Sequence, residues 1–406
     1  MESRSERLHG LDTLRAIAIL SVMCFHTNGR LPSAFDGITR FGWMGVDLFF
    51  VLSGFLIGSQ LLKPYAAGLH PSFLAFYLRR FCRVVPAFLT VLTVYFWIPV
   101  FREAPGISPA WYFLTFTENV RIDYAACPAF SHAWSLCVEE HFYLLLPALV
   151  FLIMRNQPRV GKTAAIVLGV LCFGMLARSL IFNYLVSPFH GMDDLAVLYV
   201  EKIYYPTYNR LDGLLIGIVI AAVRTFRTGW WDRVMSWANV LLGIGLLLIA
   251  GAISLFQDRF SSYGAVFGFP LLSIGLGFCT ASAMNPKSIM GRRIFGGQAI
   301  ATLAYSLYLT HLGTMHLDDH YFHRIVRAHS WALLILYVFT CFTAAATLYL
   351  LVERPFLQLR ARTLRFWRWE DIERQFTFVR SGTWASTLTK RITRRSRLSP
   401  ASVLEE

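Results

Sequence analysis

Long apolar runs separated by short polar connections dominate the chain, and most of them are longer than a globular core helix requires. One membrane-spanning helix needs about 20 mostly apolar residues. On that measure the pattern predicts ten spans, near residues 11–28, 42–62, 84–101, 134–154, 163–186, 210–223, 237–256, 264–284, 298–315 and 331–352. The sixth is short and opens with Arg210 and Asp212. The first has the length of a signal peptide, yet Arg15 sits in its body and no small-residue cleavage site follows, so it reads as a retained helix. No internal repeat is visible, which weighs against a transporter built from inverted halves.

Composition strengthens this picture. Of 406 residues, 56% are hydrophobic and 15% charged, against roughly 45–50% and about 25% in soluble domains. The fold class expected is therefore an all-α polytopic membrane protein of about ten helices, with a transmembrane domain over 1–355 and a basic tail over 356–406. Soluble enzymes, disordered regulators and disulfide scaffolds are excluded. Seven cysteines show no C-x-x-C spacing and mostly fall in apolar runs, where the residue acts as a small hydrophobe.

The net charge of +14 would suggest nucleic acid in a soluble protein. Its distribution removes that reading. The side holding both termini carries 27 Lys and Arg and the other side 9, with Arg15 and Arg178 inside spans. An excess of this kind marks the cytoplasmic face, so both termini are expected there and no nucleic acid is needed. The tail, with Phe366, Trp367 and Trp369, suits a segment lying on anionic lipid or a partner-binding tail.

Ionisable groups inside a bilayer are costly and mark function by default. In the first span Arg15 and His26 are eleven positions apart, which places them about 20° apart in azimuth and roughly 16 Å apart along one helix. The second carries Asp47 among aromatics, then Ser53-Gly54, small enough for close helix packing. At the mouth of the third, Arg80 and Arg83 are i, i+3 neighbours able to face one anion. They suit a phosphate site or ordinary basic flanking. The fourth opens with Trp134-Ser135 and Glu139-Glu140, and Glu139 shares a face with Tyr143. Asn209-Arg210-x-Asp212-Gly213 starts the sixth, Tyr305, Tyr308 and His311 lie in the ninth, and Glu353-Arg354-Pro355 ends the tenth. The loop after the ninth holds His316, His320, His323 and His329; a histidine-rich loop is more often merely polar than zinc-binding, and no metal is expected.

Taken together, in order from Leu11 to Pro355, these pieces resemble the membrane-bound acyltransferase-3 family, which O-acylates cell-surface sugars and other small molecules. The motifs that carry the resemblance are Arg15 with His26, Phe49-Phe50-Val-Leu-Ser53-Gly54-Phe55, Arg80-x-x-Arg83, Trp134-Ser135-Leu136 with Val138-Glu139, Arg210-x-Asp212-Gly213 and Tyr305-Ser306-Leu307-Tyr308. Where the family commonly has Trp or Gln after the motif glutamate, this chain has Glu140-His141.

The resemblance implies a bacterial cytoplasmic-membrane enzyme that moves an acyl group, usually acetyl, from cytoplasmic acyl-CoA to a carbohydrate hydroxyl, the acceptor being free or lipid-linked. Some members carry a fused extracytoplasmic esterase-like domain, and this sequence is expected to represent a type without one. The chemistry fits the residues. A neutral His is suited to take the hydroxyl proton near pH 7, so His26 is assigned as base, with Glu139 as its orienter or proton partner. Arg80 and Arg83, with Ser53, are assigned to the donor, and Arg15 to the pantetheine arm or the thioester carbonyl. Asp47, Trp134, Ser135, Arg210, Asp212, Tyr305, Tyr308 and His311 are expected to line the pore. One continuous tunnel from Arg83 to His26 is the corresponding geometric expectation. The same charges would also serve an ion relay in a transporter or flippase of a lipid-linked glycan, or a sensor without turnover. Acceptor identity, acyl length and oligomeric state are not legible.

Overall fold

The structure, a computed structural model, describes residues 8–366 except 28, 156–159, 190, 259 and 324–327. All ten apolar runs fall on helices. In chain order the helices are α1 (His9–His26), α2 (Asp36–Phe41), α3 (Met44–Ala66), α4 (Phe73–Trp97), α5 (Ala110–Leu114), α6 (Glu118–Arg121), α7 (Trp134–Arg155), α8 (Val160–Ile181), α9 (Leu195–Tyr199), α10 (Asp212–Phe226), α11 (Thr228–Met235), α12 (Ala238–Leu255), α13 (Phe269–Ala283), α14 (Gly297–Phe322) and α15 (Trp331–Leu348). Among the described residues the one β-type pairing is an isolated bridge between Ile107 and Ala129.

Among the described residues seven helices are long and apolar enough to cross a bilayer, and eight if α10 and α11, bent by 111°, form one broken span. The helices α1 and α14 are outside that set, since both carry several ionisable residues. Two boundaries differ from the sequence reading. Helix α4 starts at Phe73, where the Ser72 hydroxyl accepts from the Ala75 amide, so Arg80 and Arg83 lie within a helix rather than at its mouth. Such caps satisfy amides that have no partner inside the helix. Helix α14 runs on to Phe322 and takes His316 and His320 with it. Residues 354–366 continue the last helix without a break at 355; the rest of the tail, including Trp367 and Trp369, lies outside the described residues.

Burial separates a core from a rim. Helices α3 and α13 are mostly buried, whereas α8 and α15 turn Leu168, Phe173, Leu176, Ile335 and Phe339 outward. Apolar faces that large suit lipid and not water. The polar helix α1 packs against α3, α13 and α14, which keeps its charges on protein. Helices α3 and α10 meet most closely. A Cβ at Gly54 would come within 2.1 Å of the Leu214 carbonyl oxygen, and one at Gly217 within 2.2 Å of that of Val51. With no hydrophobic drive between helices in lipid, small residues supply the contact by letting backbones touch.

The connection between α4 and α7 closes one end of the bundle. Arg102 reaches back to cap α4, donating from Nε to the Tyr95 carbonyl (2.6 Å) and from Nη2 to that of Phe96 (2.9 Å). In the same connection Glu118 is fully buried and, among the described residues, neither carboxylate oxygen has a hydrogen-bond partner. Burial holds its carboxyl well above the usual range. A group that binds its proton more tightly folded than unfolded makes stability fall as pH rises from the unfolded value of about 4.3 toward the folded one. Glu118→Gln is therefore expected to raise the unfolding midpoint in detergent by roughly 2–4 °C at pH 7 and to leave it unchanged at pH 4. A gain equal at both pH values would show that ionisation is not the cause.

Candidate functional site

Five helices, α1, α3, α4, α7 and α14, enclose a cavity of about 140 Å³ near the middle of the bundle. Its wall brings together Arg15, Ser53, Arg80, Arg83, Ser135, Glu139, Tyr305 and Tyr308, with Phe49 and Phe50 as apolar surface. Eight of the fourteen residues singled out in the sequence thus share one space, although they come from five separate segments. A wider, shallow hollow beside Arg293, Phe295 and Gln298 contains none of them.

At the Arg-rich end the cations are engaged. Arg83 is paired with Glu353, whose other oxygen accepts from the Ser306 hydroxyl at 2.8 Å. Arg80 lies 3.9 Å over the Tyr143 ring, with Nη2 4.0 Å from a Glu139 oxygen. The other Glu139 oxygen accepts from the Ser53 hydroxyl at 2.6 Å. The Tyr305 hydroxyl donates to the Val84 carbonyl at 2.8 Å, which ties α14 to α4. Arg15 stands 3.8 Å from Asp12, one turn earlier on α1. Three guanidinium groups on one cavity can receive an anion, and the carboxylates beside Arg80 and Arg83 hold them in place meanwhile.

Tyr308 forms the opposite end of the cavity. Its hydroxyl donates to the His132 carbonyl at 2.6 Å, so the 2.6 Å bond to Ser135 must be donated by the serine. Beyond it three imidazoles cluster. His26 Nδ1 and His311 Nε2 are 2.8 Å apart, and the His132 ring lies 5.4 Å from that of His311 and 6.4 Å from that of His26. Tyr308 touches both sides, with its ring 6.0 Å from His311 and 5.6 Å from His132. His26 does not line the cavity; it meets the Val22 backbone of its own helix and, as side-chain partner, His311. Glu139, expected as the orienter of His26, is occupied instead with Ser53 and Arg80.

Asp47, Trp134, Arg210 and Asp212 also stand elsewhere than expected. They sit behind the cavity wall, each less than a tenth exposed. Arg210 donates to Asp47 at 2.7 Å and is enclosed by the rings of Phe269 (4.1 Å), Tyr204 (4.5 Å) and Trp134 (5.4 Å). Arg178 bonds both Asp212 oxygens at 2.7 and 3.2 Å and the carbonyls of Asn209 and Val266. In a low-dielectric interior a charge is tolerable when paired and hydrogen-bonded. These four charges cancel in two pairs and pin α3, α8 and α10 together, a role the pore assignment did not anticipate.

Sequence reasoning did not select His132, Arg178 or Glu353. Arg178 and Glu353 are visible as charges within or closing a span, but their partners come from distant segments. His132 precedes the Trp134-Ser135 motif by two residues, and only the fold brings it to His311. The loop histidines do not assemble. The His316 and His320 rings lie 6.4 Å apart and tilted on α14, and among the described residues no group of three His, Cys, Asp or Glu side chains is arranged to hold a metal.

The family model of an acyltransferase domain matches residues 8–353. A Bacillus subtilis protein provisionally named the peptidoglycan O-acetyltransferase YrhL is 28% identical over 370 residues, covering 85% of this chain and 54% of that protein. O-acetyltransferase OatA of Staphylococcus aureus is 30% identical over 329 residues, covering 75% of this chain and 50% of its own length. The chain thus spans about half the length of the curated relatives it matches. No solved structure matches.

Proposed function

We propose, from the premise that this chain belongs to the acyltransferase-3 family, that it is a multi-pass membrane O-acyltransferase of a cell-envelope carbohydrate. The acyl group, acetyl in the relatives' names, comes from acyl-CoA entering on the cytoplasmic side of the inner membrane, the side that also holds both termini. The acceptor is a hydroxyl of a cell-wall glycan presented from the other side, with peptidoglycan the first to try given what the relatives are named for. The single observation that carries the reading is the cavity that gathers Arg15, Arg80, Arg83, Ser53 and Glu139 and ends at Tyr308 against the histidine cluster.

In this reading Arg80 and Arg83 hold the phosphates of the donor, with Glu353 and Glu139 giving up their share of the guanidinium groups as the anion arrives. Arg15, on the same cavity wall, faces the pantetheine arm or the thioester carbonyl and favours the negative charge that develops on its oxygen. Phe49 and Phe50 exclude water from that stretch. His26 takes the proton of the acceptor hydroxyl as it attacks.

The test is free-thiol release from acetyl-CoA by detergent-purified protein supplied with extracted cell-envelope glycan. Release that requires the glycan is the expected result. Arg83→Ala is expected to raise the KM for acetyl-CoA by about 10–100-fold, the equivalent of one charge-assisted contact, with a smaller change in kcat. Glycan movement without acetyl-CoA, insensitive to Arg83, would establish a flippase in its place.

A further inference from the structure

We propose that His311 is the positioning residue that sets the tautomer of His26, so that the two imidazoles work as a dyad with His26 Nε2 as the free base. This deepens the acyl-transfer reading and rests on it for the identity of the reaction, though not for the tautomer.

The inference follows from which atoms can donate. A neutral imidazole carries one N–H and one lone pair. His311 Nδ1 lies 3.0 Å from the Leu307 carbonyl oxygen and 2.9 Å from that of Tyr308, and a carbonyl oxygen only accepts. The His311 hydrogen is therefore on Nδ1, and its Nε2 is a lone pair. That lone pair faces His26 Nδ1 at 2.8 Å, so the His26 nitrogen must be the donor. His26 Nε2 is left bare. The hydrogen bond on one ring nitrogen decides what the other can do, and here two backbone carbonyls of α14 decide it through two rings.

Exposure assigns the roles in the same sense. His311 is fully buried, whereas His26 keeps accessible surface. A base has to be reached, and its support does not. Both rings are also fixed from outside the dyad, His311 by its own helix and His26 by the edge of the Phe25 ring at 5.2 Å. In a Ser-His-Asp triad the carboxylate holds the imidazole in its working tautomer; a neutral second imidazole does that here without placing a carboxylate beside the base.

The step balances. The acceptor oxygen adds to the thioester carbonyl carbon as its proton passes to His26 Nε2. The carbon–sulfur bond then breaks and the proton passes from the imidazolium to the departing sulfur, giving ester and free thiol. While the charge exists, the His26 Nδ1–H donates to the His311 lone pair.

Full-length protein labelled with 15N at histidine, in lipid nanodiscs, reports the tautomers through two-bond proton–nitrogen couplings, the His26 signals being identified by their loss in His26→Gln. His26 is expected with hydrogen on Nδ1 in the wild type, and as a mixture of tautomers in His311→Phe. Acetyl-CoA turnover in His311→Phe is expected to fall about 100-fold in kcat with KM unchanged, a smaller loss than a wrong tautomer causes in the serine triad. His311→Gln, whose side-chain carbonyl accepts the same N–H, is expected to recover at least about tenfold of it. Hydrogen on His26 Nε2 in the wild type, or a folded His311→Gln no better than His311→Phe, overturns the proposal. Correct tautomers in a protein that turns over no donor would overturn the acyl-transfer reading and leave the dyad standing.

Discussion

Replacing His26 with alanine is expected to lower thiol release from acetyl-CoA by about 10²–10⁴-fold, the range that positioned proton transfer supplies. Binding of the donor is expected to change less than twofold. The two parts of this result come from one geometric fact. The residues assigned to the donor line the cavity between α1, α3, α4, α7 and α14, whereas His26 stands past Tyr308 with His311. A side chain outside the donor space can be removed without removing a donor contact. Equilibrium binding of acetyl-CoA, measured beside the turnover of the same preparation, separates the two. Turnover within tenfold of wild type would remove His26 as the base. Weakened binding in parallel with turnover would mean that the donor extends past Tyr308.

Arg178→Leu is expected to destabilise the fold severely. Arg178 is fully buried and holds both oxygens of Asp212. Removing it leaves a carboxylate in an apolar interior, which costs about 3–5 kcal/mol and takes much of the stability of an ordinary domain. Purified yield and a monodisperse elution profile in detergent report the loss. The double variant Arg178→Leu, Asp212→Leu is expected to recover most of it, since replacing a buried pair with apolar groups is often near neutral. If the double variant is as poorly folded as the single one, the contacts of Arg178 with the Asn209 and Val266 carbonyls matter more than the ion pair. If the double variant folds but does not turn over, Asp212 has a part in the reaction after all.

The helices are legible because an apolar run long enough for lipid is also long enough for a helix, although of the ten runs only seven or eight lie on helices, among the described residues, that are long and apolar enough to cross a bilayer. The polar helices are harder to place. Hydropathy treats α1 as a marginal span, while the fold buries it between α3, α13 and α14. Residue types, spacing and the family resemblance together nominate Arg15, Ser53, Arg80, Arg83, Ser135, Glu139, Tyr305 and Tyr308, and these meet around one cavity. Pairing is not legible. Asp47 and Arg210 are 163 positions apart, and Arg83 and Glu353 are 270 apart. An isolated charge in an apolar run looks the same whether it faces a substrate or a partner. That ambiguity is why three charged residues nominated for the pore, Asp47, Arg210 and Asp212, stand behind its wall. It is also why Glu139 is assigned to His26 from residue chemistry, whereas the side chain that meets His26 is His311 of α14.

The contact of Gly54 with α10 and of Gly217 with α3 has a mechanical consequence. Two backbones that leave no room for a methyl group have one register, so α3 and α10 form a single stiff plate. Ser53 and the Phe49 and Phe50 surface ride on that plate. Helices α4 and α14, also on the cavity, are linked by Tyr305 donating to the Val84 carbonyl and by Arg83 and Ser306 both bonding Glu353. Side-chain contacts can be exchanged one at a time, whereas a backbone crossing cannot. The fixed side of the cavity is therefore the plate of α3 and α10, which holds Ser53, Phe49 and Phe50 in one register.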